Sequence, residues 1–386
     1  MKLADLHVIV VGGAAAGAGC ALLLGRAGAR VTLLEKVADP RAIGAGIGLA
    51  ENGLAVLESV GVLPALQRDA RPVPSPTIVD GRGRVLLAMP GPPPRVLMVR
   101  RSVLQRVLLD AVAVEPRIER RFGAEVIGSE PDGRVRVSYD GLVHELAADL
   151  VIGADGVHSR IRAGGDHGAR VSRPGISYVR TLVAGDLARH EEAWTAEGLF
   201  GSFAVDGGTY LYASAGGPAV RRALAAHDLE GFRTAWARAY APAAELLAGV
   251  ARWEDLLLNQ VIRVDCRRWF DQRQVLVGDA AHAMAPNLGQ GANSAFVDAA
   301  VLLDELRAHA ELPIALAAYQ ERRQGAVRKV AQASARLGSL AEVTNPVGRW
   351  LRDRVLMPVI ARLSTADTTS TVLQEPTERL LAIGRA

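Results

Sequence analysis

The sequence predicts an α/β fold in which buried parallel strands alternate with packed helices. Three stretches carry that prediction. Residues His7–Val11 form a valine-rich run that enters Gly12-Gly13-Ala14-Ala15-Ala16-Gly17; an alanine- and leucine-rich stretch over 15–27 follows, then Gly28, then a second apolar run, 30–34, ending in Glu35. That order is a complete strand–helix–strand unit. A second buried run, 149–153, breaks at Ala154-Asp155-Gly156, with Ser159, Arg160 and Arg162 on a turn or short helix beyond it. A third, 275–277, leads into Gly278-Asp279-Ala280-Ala281-His282, then Pro286 and Gly289-Gln290-Gly291-Ala292-Asn293, after which Phe296, Ala299, Ala300 and Leu303 recur at helical spacing.

The chemistry of the first turn follows from its spacing. Gly12 permits a tight turn, Gly17 lets helix and strand pack closely, and the bare amides at the helix start, around Ala14 and Ala15, suit a pyrophosphate. Glu35, at the end of the next strand, suits a pair of ribose hydroxyls and favours an unphosphorylated ribose. NAD and the adenosine half of FAD both satisfy that turn. Ala14 departs from the fingerprint, which expects a second glycine there.

Later segments favour FAD. Gly44-Ala45-Gly46-Ile47-Gly48-Leu49 has almost no side-chain bulk, and Asn52 and an apolar helix with Leu54 and Leu57 on one face follow before Gly61 closes it. Arg41 and Gly46 are candidate cofactor contacts from this stretch. Arg101 directly precedes Ser102-Val103-Leu104-Gln105, which reads as a capping box opening a helix, and an arginine at a helix entrance can hold a phosphate with two hydrogen bonds. Asp279, at a strand end, suits the hydroxyls of a ribityl chain. The helix start behind Gly289 and Gly291, with Ala292 and Asn293, offers amides to the N1 and C2 carbonyl region of a reduced flavin.

Composition narrows the class. With 49% hydrophobic and 22% charged residues in 386, the chain can bury a large core in two domains or one elaborate one. The sequence pI is about 9.3, yet Lys2, Lys36 and Lys329 are the only lysines and the net charge is only +4. No block of five like charges and no basic aromatic stripe occurs, which argues against nucleic acid. Cys20 and Cys266 are too few for a disulfide framework or a zinc site, so a reducing cytoplasm is expected. Residues 8–25 carry no charge but contain five glycines, so they read as strand, turn and helix, with no membrane insertion. His158, His190 and His227 lack partners at metal spacing, and His282 reads as a structural hydrogen-bonding group.

In this order the segments resemble the flavin-dependent aromatic hydroxylases typified by the salicylate and para-hydroxybenzoate enzymes, in their short form, over residues 8–330. The run from Gly278 to Gly291 is the most specific part of the likeness. The resemblance implies that the Glu35 position binds the adenosine ribose, the Arg101 position the FAD phosphates and the Asp279 position the ribityl chain; the Asp155 segment is linked with FAD and with the nicotinamide donor. It implies a Rossmann-like FAD-binding domain in discontinuous pieces (1–72, 98–172 and 266–330), an inserted substrate-binding β-sheet (73–97 and 173–265) and C-terminal helices (331–386). The sequence agrees with a hairpin over 199–205 and 209–214 about Asp206-Gly207-Gly208, and with a proline-rich connection at 90–94.

The activity implied is that of a monooxygenase on a small aromatic or polycyclic molecule. NADH or NADPH reduces the flavin, O2 adds at its C4a, and the terminal oxygen passes to the substrate. With one nucleotide turn, the nicotinamide donor binds transiently. Pro286 would flank the flavin edge, no acid or base residue is expected to act on the substrate, and Tyr178, Arg180, Phe203, Tyr210 and Tyr212 are candidate pocket residues. Epoxidation or oxidative cyclisation on the same chemistry, a reductase like the geranylgeranyl reductases, and a non-redox FAD-containing protein remain alternatives. The chain is expected to be a monomer or homodimer.

Overall fold

The computed structural model describes residues 2–40, 45–74, 77–88, 95–363 and 374–385. Arg41 and the proline-rich stretch 90–94 lie outside the described residues.

A six-stranded sheet organises the first half of the molecule, in the order Phe270–Asp271, Gln274–Leu276, Leu150–Gly153, His7–Val11, Arg30–Glu35, Ile118–Phe122. All its pairings are parallel except that of the outermost short strand, Phe270–Asp271. The parallel strands are continuous apolar runs because both faces are covered, and Val8, Ile9, Val10, Leu150, Val151 and Ile152 are fully buried. Helix Ala15–Arg26 packs against helices Arg101–Val114 and Gly291–Ala308, and the last of these packs on helix Leu312–Ala341. The chain leaves His7–Val11 for the strand on one side and returns to its other side through Leu150–Gly153. The carboxyl end of His7–Val11 is therefore a topological switch point, where α/β sheets open a crevice for ligands.

A second, seven-stranded sheet runs Leu257–Gln260, Ser177–Ala184, Gly208–Ser214, Gly198–Val205, Glu191–Thr195, Thr77–Asp80, Val85–Ala88. Helices Pro218–Ala225, Leu229–Ala239 and Ala243–Ala248 cover one of its faces, with Phe200 against Trp236 at 5.2 Å between ring centroids. Its other face turns toward the first sheet. A small sheet of Gly46–Leu49, Leu97–Arg100 and Arg71–Pro72 lies between them, with Ala45 and Met98 packed on Tyr210. Strand Ala169–Ser172 pairs with Arg263–Cys266 where the chain passes between the two large sheets. Cys20 and Cys266 are free and buried.

Two expectations need correction. The boundary at 330/331 falls inside one continuous helix, Leu312–Ala341, so the C-terminal helices do not begin there. Helix Arg101–Val114 has Arg100 at its cap with no side-chain cap hydrogen bond, and Ser102 lies inside its first turn; the expected capping box is absent. Among the described residues no helix is long and apolar enough to cross a membrane, and no group of three or more His, Cys, Asp or Glu could hold a metal ion.

Candidate active site

At the switch point the sequence leaves no freedom. Gly12 sits at φ +101°, and a Cβ there would lie 2.5 Å from the carbonyl oxygen of Ala154; a Cβ on Gly17 would overlap the carbonyl oxygen of Gly12. Only glycine lets the turn, the helix and the neighbouring strand end meet. Ala14 caps the helix at φ −75° and ψ −173°, extended backbone that alanine adopts freely, and its methyl is exposed. Glu35 braces the turn: one carboxylate oxygen accepts the Gly13 N–H at 2.7 Å and the other the Val37 N–H at 2.9 Å. From the other side, Gln105 donates its amide to the Gly13 carbonyl at 2.6 Å. Gln105 therefore fixes the nucleotide turn rather than capping its own helix.

Arg101, the first residue of helix Arg101–Val114, opens into a cleft of about 270 Å³ shared with Ala45, Arg180, Leu256, Leu257, Leu258 and Asn259. Burial first, and then the Arg180 guanidinium, push Arg101 below the ordinary arginine range, while the carboxylate of Asp279 favours its charge. Two guanidiniums in one cleft call for an anion between them. Asp279 is exposed at the start of the short helix Asp279–His282.

The Asp155 turn is held internally. One oxygen of Asp155 accepts the N–H groups of Arg160 at 2.6 Å and Ile161 at 3.3 Å, fixing the start of helix Arg160–Gly164; burial pushes its carboxyl up, against those bonds. Arg162 donates to the carbonyl of Val157 at 2.7 Å and to that of Ala280 at 2.8 Å, joining the Asp155 and Asp279 turns. Beneath them lies a hub with no sequence motif. Asp298, fully buried, accepts the Gly278 N–H at 2.9 Å, faces His282 Nε2 at 2.5 Å and accepts Arg323 Nε at 2.8 Å. Burial alone would raise the Asp298 carboxyl, but His282 and Arg323 overcome it and hold it at about 2. His282, with Trp269 at 4.9 Å, thus has a structural partner.

In the glycine loop that follows, whose helix-start amides were expected to meet the cofactor, the Asn293 side chain bonds to the protein: its Oδ1 accepts the Ala50 N–H at 3.0 Å, and its Nδ2 donates to the carbonyls of Gly48 at 3.1 Å and Gly289 at 2.8 Å. It clamps the Gly46–Leu49 strand to the loop. Added Cβ atoms on Gly289 or Gly291 would meet nothing within 4 Å, so open space lies before the helix Gly291–Ala308, whose first turn contains Ala292. Pro286 begins a single helical turn, Pro286–Leu288, anchored by Ser334, whose hydroxyl donates to the Ala285 carbonyl at 2.7 Å.

That turn meets the second sheet, where Tyr178 donates its hydroxyl to Asn287 at 2.9 Å. Register sets the rest of this face. Arg180 lies opposite Tyr212, Tyr210 opposite Phe203, Gly201 opposite Tyr212 and Glu192 opposite Gly201. Alternation therefore puts all five expected pocket residues on one face. Tyr212 stacks on Phe203 at 6.0 Å with 2° between the ring planes and on Tyr210 at 5.6 Å. Gly201 allows this, since a Cβ there would enter the Tyr212 ring. Glu192, which no motif marked, accepts the Tyr212 hydroxyl at 2.7 Å and the Trp194 indole N–H at 2.6 Å, and burial pushes its carboxyl up. Burial likewise raises Tyr178 and Tyr210.

Comparison with known proteins agrees with this geometry. Residues 5–195 and 250–334 match the family model described as the FAD binding domain. The chain is 30% identical over 370 residues to aurachin C monooxygenase/isomerase of Stigmatella aurantiaca, covering 91% of this chain and 94% of that protein. It is 32% identical over 369 residues to 2-heptyl-3-hydroxy-4(1H)-quinolone synthase of Pseudomonas aeruginosa (strain UCBPP-PA14), with coverage of 91% and 94%. Among solved structures, the tetrameric form of 2-methyl-3-hydroxypyridine-5-carboxylic acid oxygenase superposes with a TM-score of 0.77 at 25% identity, covering 92% of this chain and 95% of that one. The chain belongs to the FAD-binding-domain family and is an FAD-dependent, NAD(P)H-consuming monooxygenase.

Proposed function

We propose that the substrate is a planar nitrogen heterocycle of the 4-quinolone kind, oxygenated while it lies on the sheet face of Tyr178, Arg180, Phe203, Tyr210 and Tyr212. The observation that carries this reading is that face itself: a stacked aromatic floor with one guanidinium and one half-buried carboxylate, directly across from the Pro286 turn. A flat ring system gains by stacking there, and its polar edge finds Arg180 at one side and the Tyr212–Glu192 pair at the other. The names of the quinolone synthase and aurachin relatives support the same class.

On this reading Glu35 accepts ribose hydroxyls, Arg101 and the helix start at Ala14 and Ala15 hold the phosphates, and Asp279 receives the ribityl hydroxyls. Gly289 and Gly291 leave open space for the cofactor, Gly12, Gly17, Gly46 and Gly278 let the protein close up around it, Asp155 holds its turn in place, and the amides at Ala292 and Asn293 face the flavin ring beside Pro286. Bound FAD supplies the reaction with O2 after reduction by NADH or NADPH. The chain's own share is to stack the substrate, exclude water and fix the ring's polar edge. The cofactor domain would comprise 1–72, 98–172 and 266–330, and the substrate sheet 73–97 and 173–265, in a cytoplasmic monomer or homodimer.

The test is NADH and NADPH oxidation by the flavin-loaded protein with a panel of 2-alkyl-4-quinolones, hydroxypyridines and hydroxybenzoates, with mass spectrometry of the products. Quinolone-stimulated oxidation giving a product with one added oxygen atom is expected. Stimulation by the monocyclic compounds alone would overturn the substrate class.

A further inference from the structure

The C-terminal arm consists of helix Pro346–Leu351, a wider π-helical turn Arg352–Leu356 and helix Met357–Leu363. Its inner face is ordinary: Met357 is buried with Trp194, Tyr178 and Ala285, and the Arg352 guanidinium lies 5.2 Å over the Trp194 ring and donates to the Leu340 carbonyl at 3.0 Å. The arm therefore forms the back wall of the substrate face.

Its outer face is not ordinary. Val347 is 77% exposed, Trp350 62%, Leu351 52%, Val355 47% and Val359 44%. These positions recur every three or four residues and so form one continuous stripe. The strand Val85–Ala88 packs beside the last helix and extends the stripe with Val85, which is 61% exposed. Contiguous exposed apolar surface of this sort marks a contact with something else.

Charge narrows what that contact is. Arg354, within the stripe, and Arg82, at the turn next to Val85, are both exposed, and neither has an acidic partner among the described residues. The nearby acids are already engaged, Asp353 by Arg352 and Asp80 by Arg84. Size argues against a second copy of the chain: eighteen residues of helix make a strip ~27 Å long and ~10 Å wide, roughly 270 Å², whereas a stable dimer needs about 800 Å² from each partner. A narrow apolar stripe with an exposed tryptophan and unpaired arginines fits the boundary between lipid headgroups and acyl chains.

We propose that the outer face of residues 346–363, together with the hairpin turn at Arg82–Val85, docks on an anionic lipid surface. The helix lies in the interface without crossing it. Docking stands independently of the substrate reading; if that reading also holds, an alkylated heterocycle would partition from the lipid directly to the wall of its own cavity.

The experiment is vesicle flotation of the full-length, FAD-loaded protein with phosphatidylcholine alone and with added phosphatidylglycerol, at low and high salt. Light scattering gives the mass in solution. Flotation with the phosphatidylglycerol vesicles is expected, weakened by salt. The Leu351→Glu/Val355→Glu variant should lose at least about tenfold in binding while keeping its flavin and its NADH oxidation. The Arg82→Ser/Arg354→Ser variant changes only exposed side chains and should lose the salt-sensitive part. Flotation absent from wild type, or unchanged in both variants, would overturn the proposal. So would a wild-type dimer that the Leu351→Glu/Val355→Glu change converts to a monomer, since the stripe would then be an interface between copies. NADH oxidation in free solution reports on the monooxygenase independently of either result.

Discussion

Asp298 shows how much of the candidate site can rest on one fully buried side chain. It orients the Gly278 amide, the His282 ring and the Arg323 guanidinium from a fully buried position. Removing it strands a buried arginine, so Asp298→Ala should cost about 3–5 kcal/mol in urea unfolding. Its carboxyl is held at about 2, below the value of about 3.9 in an unfolded chain. A depressed folded-state value contributes stability that is complete above the unfolded value and is lost as pH falls through the folded one. Wild type should therefore weaken between about pH 4 and pH 2, and Asp298→Asn should weaken less over that window; equal slopes would remove the carboxylate from the account. Tyr212→Phe takes one of two donors from Glu192, so turnover of the true substrate should fall while flavin content stays the same. A matching loss of flavin would mean that the pair is structural.

These residues also mark where the sequence could be read and where it could not. Gly12 and Gly17 were legible because the close approach of backbone to backbone permits one residue type at a fixed spacing. Asp298 and Arg323 were not, because charges within a helix ordinarily face water and nothing local says that two helices bring these together. Glu192 was hidden for a related reason: its partner Tyr212 lies on another strand, which only the folded sheet brings near it.

At the scale of elements, helix Gly291–Ala308 acts through its first turn. Asn293 ties that turn to the Gly46–Leu49 strand and the following Ala50 by two hydrogen bonds and to the Gly289 carbonyl by a third, so two segments far apart in sequence move as one. Asn293→Ala leaves buried backbone groups unpaired, at about 1–3 kcal/mol. FAD should bind roughly tenfold more weakly for each 1.4 kcal/mol that falls on the bound state, as a titration of flavin fluorescence would show; unchanged affinity would confine Asn293 to general stability. The thirty-residue helix Leu312–Ala341 shows the opposite failure of sequence reading. The resemblance placed the start of the C-terminal helices at 331. Yet Val327, Val330, Ser334, Gly338 and Ala341 continue the buried spacing set by Ala315, Leu316, Tyr319 and Arg323, and no proline follows Pro313 within it to break the hydrogen-bond ladder.

For the molecule as a whole, the site is assembled from pieces drawn from nearly the entire chain. His7–Val11, Leu150–Gly153 and Gln274–Leu276 are neighbours in one sheet, and the seven-stranded sheet takes two strands from between the first two of them and five from between the last two. FAD bound where these pieces converge stabilises only the assembled state, by about 2.7 kcal/mol when free FAD is a hundred times its Kd. The melting temperature of flavin-stripped protein should climb with added FAD over that range, and a flat response would mean that the pieces do not meet around the cofactor.

The burial of both cysteines has a chemical consequence for a protein whose reaction runs on oxygen. Cys20 and Cys266 are enclosed, and burial pushes both thiols up, that of Cys266 to about 11. Peroxide attacks the thiolate, not the thiol. Any peroxide that escapes an unproductive turnover therefore finds no reactive thiolate at Cys20 or Cys266 in the folded enzyme. The same shielding makes alkylation a clock for opening of the fold: iodoacetamide should label native protein no faster than it unfolds.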